Sequence, residues 1–335
     1  MELIHHPEKI EREKWEEFIH YHPNGNVFQT PQMYDVYKET PKYKPIFLAV
    51  KNESEILGTL LAVILTVHDG ILGKFSSRAI IMGGPIVKDD DEQVTEMLLV
   101  HYSNRVKNQA IYTQIRNLWD TSNRKASFHA SRFKYVEHLN ILVDLEKKEE
   151  DLWQEVEKRK RNRIRKAQKE GIQISVDNSD EAIENVYGVL NDVFRRVKLP
   201  LPDLIYFKNL RKKLVGNPSL LIFVAKHNGK IIGCSISLKY KKVIYDYYAG
   251  SYCSEYAKCP NDLIPWEIFL WGKTNNCKVF DFGGAGKPNV SYGVRDYKKK
   301  YGGKIVNLGR YEQIHQPFMY AFAKKAFVIW QKLQN

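Results

Sequence analysis

The chain has 335 residues, 43% apolar and 27% charged, with a net charge of +13 and a pI of about 9.3. This composition excludes a disordered or fibrous chain, and the length favours two domains over one. The basic surplus points to a polyanionic partner: nucleic acid, a phosphorylated substrate or an anionic membrane face.

The longest apolar stretch, Ile56 to Val67, is interrupted by Gly58 and Thr59 and is shorter than the ~20 residues a bilayer demands. The N-terminal residues are charged throughout and form no signal-peptide core. Cys234, Cys253, Cys259 and Cys277 contain no CxxC pair, so the expectation is a reduced, cytoplasmic chain with neither a disulfide framework nor a zinc site.

Strand and helix patterns alternate. Helices are predicted at Glu11 to His20 and Pro31 to Lys38, then strands at Ile46 to Lys51, Glu55 to Val67 and Arg78 to Met82. An amphipathic helix (Glu92 to Lys107) and strands at Ile111 to Ile115 and Val136 to Val143 follow. A second pass begins with one long charged helix, Lys147 to Glu170, stopped by Gly171. Next come helices at Ser179 to Val197 and Asp203 to Leu214, and strands at Leu220 to Lys226, Lys230 to Tyr240 and Val243 to Ala249. A helix (Asn261 to Asn275), a strand (Lys278 to Phe282) and a strand–helix pair from Lys304 close the chain, the last helix (Pro317 to Leu333) packing onto the first domain. The fold class is α/β or α+β.

An internal repeat organises these elements. Phe47 to Gly58 aligns without a gap to Ile222 to Gly233, each copy reading as strand, tight polar turn and strand ending at a Gly. Each hairpin follows helices and precedes a strand, a long helix and a further strand, so two copies of one domain are expected. The first domain spans 1–145, completed by 305–335, and the second spans 146–304.

That hairpin resembles the central one of the GNAT acyltransferase fold. An ordinary GNAT enzyme continues with Gln/Arg-x-x-Gly-x-Gly/Ala, whose backbone N–H groups cradle the pyrophosphate of acetyl-CoA at a helix N-terminus. Here the equivalent stretch, Gly250 to Asn261, has no such glycine spacing and is crowded by Tyr252 and Tyr256. Tandem GNAT-like domains without that loop resemble the Fem-type aminoacyltransferases of peptidoglycan interpeptide bridges. Several stretches carry the likeness: Gln29-Thr30-Pro31 with Tyr34 and Lys38; Arg161 to Gly171; Tyr247 to Ser251; Asp281 to Gly284; and Gly293-Val294-x-x-Tyr297-Lys298-x-x-Tyr301-Gly302. The resemblance covers nearly the whole chain. Two positions depart from the family: Leu201 or Pro202 stands where some members have a phosphate-gripping Arg, and Asn117 where some have an acid. The acceptor therefore need not be the standard stem peptide.

The resemblance implies transfer of an amino acid from aminoacyl-tRNA to an amine of a cell-wall peptide precursor, with no cofactor and no metal. The resemblance implies Lys298 as a catalytic residue and Lys38, Tyr248, Tyr297 and Tyr301 as substrate-binding ones, the alternatives being an exposed helix lysine at Lys38 and core anchors at Tyr297 and Tyr301. Asp281, which ends a strand before Gly283-Gly284-Ala285-Gly286, is the second catalytic candidate, placed either to orient the amine or to cap a turn. A positioned ammonium at Lys298 would stabilise the tetrahedral oxyanion, contributing ~10²–10³ in rate; the alternative is a solvated run with Lys299 and Lys300. Arg161, Arg163 and Arg165 lie in a stretch of eight basic residues between Lys158 and Lys169, whose field suits tRNA phosphates or a lipid-linked diphosphate. The alternative is an exposed, solvated helix. The implied partners are aminoacyl-tRNA and a phosphorylated or lipid-linked precursor, with peripheral contact at the inner membrane face and a monomeric chain. Two other functions stay open: an acyl-CoA-dependent N-acyltransferase acting on an envelope sugar or peptide, and a non-catalytic tRNA- or lipid-binding relative.

Overall fold

A computed structural model describes residues 1–53, 55–66 and 77–333. Ser54 in the first hairpin turn, Val67 at the predicted end of the second strand, and residues 334–335 lie outside the described residues. The chain divides into two compact units, Met1–Glu137 with Leu308–Asn335, and His138–Asn307. The first boundary therefore falls eight residues before the expected one, because Leu139–Asp144 pairs only with strands of the second unit.

The first unit contains β1 (Glu2–Ile4), α1 (Arg12–Tyr21), α2 (Pro31–Glu39), β2 (Tyr43–Lys51), β3 (Ile56–Leu65), β4 (Arg78–Met82), β5 (Ile86–Val87), α3 (Glu92–Val106), β6 (Tyr112–Arg116), α4 (Lys125–Ala130) and β7 (Lys134–Val136). The second contains β8 (Leu139–Asp144), α5 (Glu149–Glu155), α6 (Lys158–Lys169), β9 (Gln173–Val176), α7 (Asp180–Arg196), α8 (Leu204–Lys213), β10 (Ser219–His227), β11 (Lys230–Tyr240), β12 (Val243–Ser251), α9 (Pro260–Thr274), β13 (Val279–Gly284), α10 (Gly293–Lys299) and β14 (Lys304–Asn307). The chain then returns to the first unit with β15 (Arg310–Ile314) and α11 (Pro317–Leu333).

The two sheets repeat one topology. Their orders, β1-β2-β3-β4-β6-β15-β7 and β9-β10-β11-β12-β13-β8-β14, match strand for strand. In each the central neighbours, β4 with β6 and β12 with β13, are parallel. The repeated hairpins also share register. Val50 pairs Gly58 and Lys51 pairs Ile56 across a bulge, as Ala225 pairs Gly233 and Lys226 pairs Ile231. A bulge at the same point of both copies marks a repeated unit, since chance hairpins have no reason to share one. Strand six of each sheet comes from the segment joining the units: β15 serves the first and β8 the second.

The predicted long helix is two. Val156 is buried in an extended conformation between α5 and α6, and the Glu157 N–H donates to Lys300 O (2.8 Å) outside any helix. The predicted strand at Val136 to Val143 likewise divides between β7 and β8. Sequence reading misses β1, β9 and α4, which are six residues or fewer.

In the first unit, β3 pairs β4 only over Val63–Leu65 and Arg78–Ile80. Fully buried Gln29 fills the parting: its Nε2 donates to Leu61 O (3.0 Å) and Met82 O (2.8 Å), and its Oε1 accepts from Leu61 N (2.8 Å). Gln29→Ala strands these groups and should destabilise the protein by about 3 kcal/mol in urea denaturation. A loss under about 1 kcal/mol would show that water replaces the side chain.

Among the described residues, no helix is long and apolar enough to cross a membrane.

Candidate active site

In the second unit β12 and β13 pair only over Val243–Tyr245 and Val279–Asp281, although β12 continues to Ser251 and β13 to Gly284. The strands part beyond Tyr245 and Asp281. Asp246 and Asp281 stand at that point, Asp281 only 3% exposed and Asp246 half-buried.

Lys298 reaches the same place from α10. Its Nζ donates to Phe282 O (2.5 Å) and Gly284 O (3.0 Å), whereas Lys299 and Lys300 are exposed. The run of lysines is thus divided, one turned inward and two outward. Tyr301, 1% exposed, donates to the carbonyls of Asn261 (3.0 Å) and Asp262 (2.9 Å), and the Tyr297 hydroxyl bonds to Asn261 O. Arg295 ties α10 to the carbonyls of Lys287 and Val290. Gly302 (φ +79°) and Gly303 (φ +84°) then take the chain out where a Cβ would meet Glu155 Cβ at 2.7 Å and Leu142 O at 2.7 Å, respectively.

Burial sets the electrostatics. Desolvation raises the Asp281 pKa to about 6, opposed by hydrogen bonds from Gly283 N (2.7 Å) and Asn140 Nδ2 (3.4 Å) and by the Lys298 charge. Asp246 is raised for the same reason, opposed by Lys298 and by the Ser235 hydroxyl at 3.2 Å. Desolvation lowers Lys298, and the two carboxylates oppose that shift. One buried and one half-buried carboxyl group thus lie in the field of one ammonium, an arrangement typical of sites that move protons. Desolvation also keeps the Tyr297 and Tyr301 phenols neutral, raising both well above their ordinary value.

Beside this cluster lies a basic cleft at the start of α9, lined by Arg159, Lys160, Arg163 and Lys300 with Tyr256 and Tyr297. Asp262, 3% exposed, accepts from Lys160 Nζ (2.5 Å) and Arg163 Nε (2.8 Å). The Lys160 ammonium lies 4.2 Å from the Tyr297 ring centre and 4.9 Å from that of Tyr301. The other two arginines also have partners within the chain: Arg161 donates to the carbonyls of Trp153 and Gln154, and Arg165 sits over the Trp153 ring (5.3 Å). Arg159, Lys158, Lys166 and Lys169 are exposed.

Tyr248 packs among Phe194, Phe207 and Tyr247 at ring distances of 4.7–5.7 Å. Lys38 belongs to the first unit, exposed in the last turn of α2 with its Nζ 6.0 Å from the Tyr34 ring centre. Asn117 is buried and donates to Leu308 O (2.9 Å) and Thr121 Oγ1 (3.1 Å), a structural use of its amide.

Sequence reading missed Asp246, Lys160 and Asp262. Each carries a legible signal. Asp246 is a carboxylate inside an aromatic strand, Tyr245 to Tyr248. Lys160 falls four and seven residues before Ile164 and Ala167, the buried positions of α6. Asp262 is the one acid in the first turn of a largely apolar helix.

Three comparisons place this geometry among known proteins. Residues 154–299 match the acetyltransferase (GNAT) domain family. The UDP-N-acetylmuramoylpentapeptide-lysine N(6)-alanyltransferase of Weissella viridescens is 21% identical, covering 95% of this chain and 97% of that protein. The crystal structure of FemX superposes with a TM-score of 0.73 at 16% identity, over 96% of this chain and 100% of that one. A tandem GNAT protein from the clavulanic acid biosynthesis pathway gives 0.61 at 11% identity, over 94% and 98%. The chain is a tandem GNAT-fold protein that resembles the Fem-type aminoacyltransferases along nearly its whole length.

Proposed function

We propose that this chain is an aminoacyltransferase that moves an amino acid from aminoacyl-tRNA onto an amine of a peptidoglycan peptide precursor. The observation that carries the donor is the start of α9, where an acetyl-CoA enzyme would offer free backbone donors. Here Cys259 N bonds to Tyr256 O, Asp262 N and Leu263 N bond to Cys259 O, and Pro260 has no N–H. Arginine and lysine side chains line the cleft instead, as a nucleic-acid phosphate requires.

The chemistry follows from the cluster. The acceptor amine attacks the ester carbonyl, and the electron pair moves onto its oxygen. When the tetrahedral species collapses, the bond to the ribose oxygen breaks. The Lys298 ammonium uses two of its three N–H donors on Phe282 O and Gly284 O, which leaves one for the oxyanion. Asp281 is ionised at neutral pH and receives the proton the amine must lose; that proton ends on the departing ribose hydroxyl. The protein works in the cytoplasm as a monomer, at the inner face of the membrane. The substitutions at Leu201, Pro202 and Asn117 leave the acceptor's phosphate-bearing end open.

The test combines a transfer assay with calorimetry. Charged tRNAs and a muramoyl-pentapeptide acceptor should give an aminoacylated product by mass spectrometry, and acetyl-CoA should give no binding heat below millimolar concentration. Replacing Arg159 and Lys300 with Gln should lower the salt slope of tRNA binding by roughly two. The GNAT-domain match favours the acyl-CoA alternative, which micromolar acetyl-CoA binding would establish in place of this reading. Normal tRNA binding with no turnover on any donor would make the chain a binding relative.

A further inference from the structure

The last helix is expected to pack onto the first domain, and one side of it does: Tyr320 meets Tyr112 edge-on at 5.3 Å. The other side does not. Phe318 is 93% exposed and Phe322, one turn on, 64% exposed. At 100° per residue these two lie roughly opposite Tyr320, and exposed Ala326 continues their row. Lys324 and Lys325 are also exposed, Lys325 beside the phenylalanine row and Lys324 on the Tyr320 side of the helix. No Asp or Glu follows Glu312, and the remaining sequence includes Phe327, Ile329, Trp330 and Lys332.

An exposed apolar row beside lysines, with no acid nearby, has two simple occupants: a second copy of the chain or an anionic bilayer. Charge decides between them. Two such helices would bring lysines together, on a chain already at +13, whereas a bilayer rich in anionic headgroups answers both the lysines and the phenylalanines. The helix is too short and too charged to span, so it lies in the plane of the surface.

We infer that α11 seats the protein on an anionic lipid bilayer, with Phe318 and Phe322 inserted at the acyl boundary and Lys325 beside them among the headgroups. This deepens the membrane-side part of the proposed function and is independent of the transfer chemistry.

Co-sedimentation of the full chain with phosphatidylglycerol/phosphatidylcholine vesicles tests it against vesicles of phosphatidylcholine alone. The wild type should sediment with the anionic vesicles, and less so as salt rises. Phe318→Ser/Phe322→Ser should weaken binding ~10-fold or more, and Lys324→Gln/Lys325→Gln should remove most of its dependence on lipid charge. Both side-chain pairs are exposed, so thermal melting and turnover with a water-soluble acceptor should stay at wild-type values. Absence of wild-type vesicle binding would overturn the inference, and intact turnover in that sample would leave the proposed function standing. Unchanged binding by the Phe318/Phe322 variant would overturn it in favour of the basic helix α6. A dimer in light scattering that the same variant abolishes, without vesicle binding, would assign the face to a second copy.

Discussion

Lys298→Ala is expected to lower turnover ~10²-fold or more while leaving tRNA affinity close to wild type. The ammonium bonds Phe282 O and Gly284 O at the end of β13, where it parts from β12, and its remaining N–H is the charge nearest the reacting ester in the proposed mechanism. Its loss also takes the shared cation from Asp246 and Asp281, whose carboxyl groups then hold protons still more tightly. Lys298→Arg restores charge without the three-fold donor geometry and should recover little. Single-turnover rates at saturating tRNA separate this from a binding defect, and a melting curve separates it from unfolding. Near-wild-type turnover would leave Lys298 as a staple between strand carbonyls.

The same cluster fixes the pH profile. Asp281 takes up its proton as pH falls through about 6, so turnover should decline on that side, and Asp281→Asn should remove the acidic limb. Lys298, held below 10.5 by desolvation, sets the alkaline limb as its charge is lost with rising pH. An acidic limb that persists in Asp281→Asn would assign it to another group, with Asp246 the next candidate.

The repeat was legible because a hairpin states its register in local sequence: the turn and the bulge are written within Phe47 to Gly58 and again within Ile222 to Gly233. Residues 305–335 are expected to complete the first domain, and Arg310–Ile314 joins its sheet. Nothing in the short stretch Leu139–Asp144 says that it joins the second, because pairing over such separations is decided by the assembled sheet edges. For the candidate site, the resemblance singled out Tyr297-Lys298-x-x-Tyr301, which the structure places on and just after α10 with Lys298 turned inward. Its partners stayed hidden because they are backbone carbonyls, which a sequence cannot distinguish. The break at Val156 has the same origin. Its buried side chain and the Glu157 bond to Lys300 O override a helical pattern that runs through both residues.

Asp262→Ala should cost about 3–5 kcal/mol of stability, the expected penalty for removing one partner from a buried ion group. Lys160 is 5% exposed and Asp262 is its only carboxylate partner within 4 Å among the described residues, so truncation leaves an ammonium supported by the Tyr297 and Tyr301 rings alone. Arg163, whose side chain is 55% exposed, can return to water. The sign of the pH dependence follows from Lys160. Desolvation already lowers its pKa, and the hydrogen bond and charge of Asp262 oppose that. In the variant the folded-state pKa falls further below the unfolded value of 10.5, so the unfolded chain binds more protons between the two values. The deficit should therefore be largest at neutral pH and shrink as pH rises toward 10.5. Lys160→Met/Asp262→Ala removes the orphaned charge and should recover most of the loss. Urea denaturation of the three proteins at two pH values checks each step. A single-variant loss below about 1 kcal/mol, or one that grows with pH, would show that Lys160 finds water when its carboxylate is gone and that the α6–α9 contact rests on Ile164 and Ala167 instead.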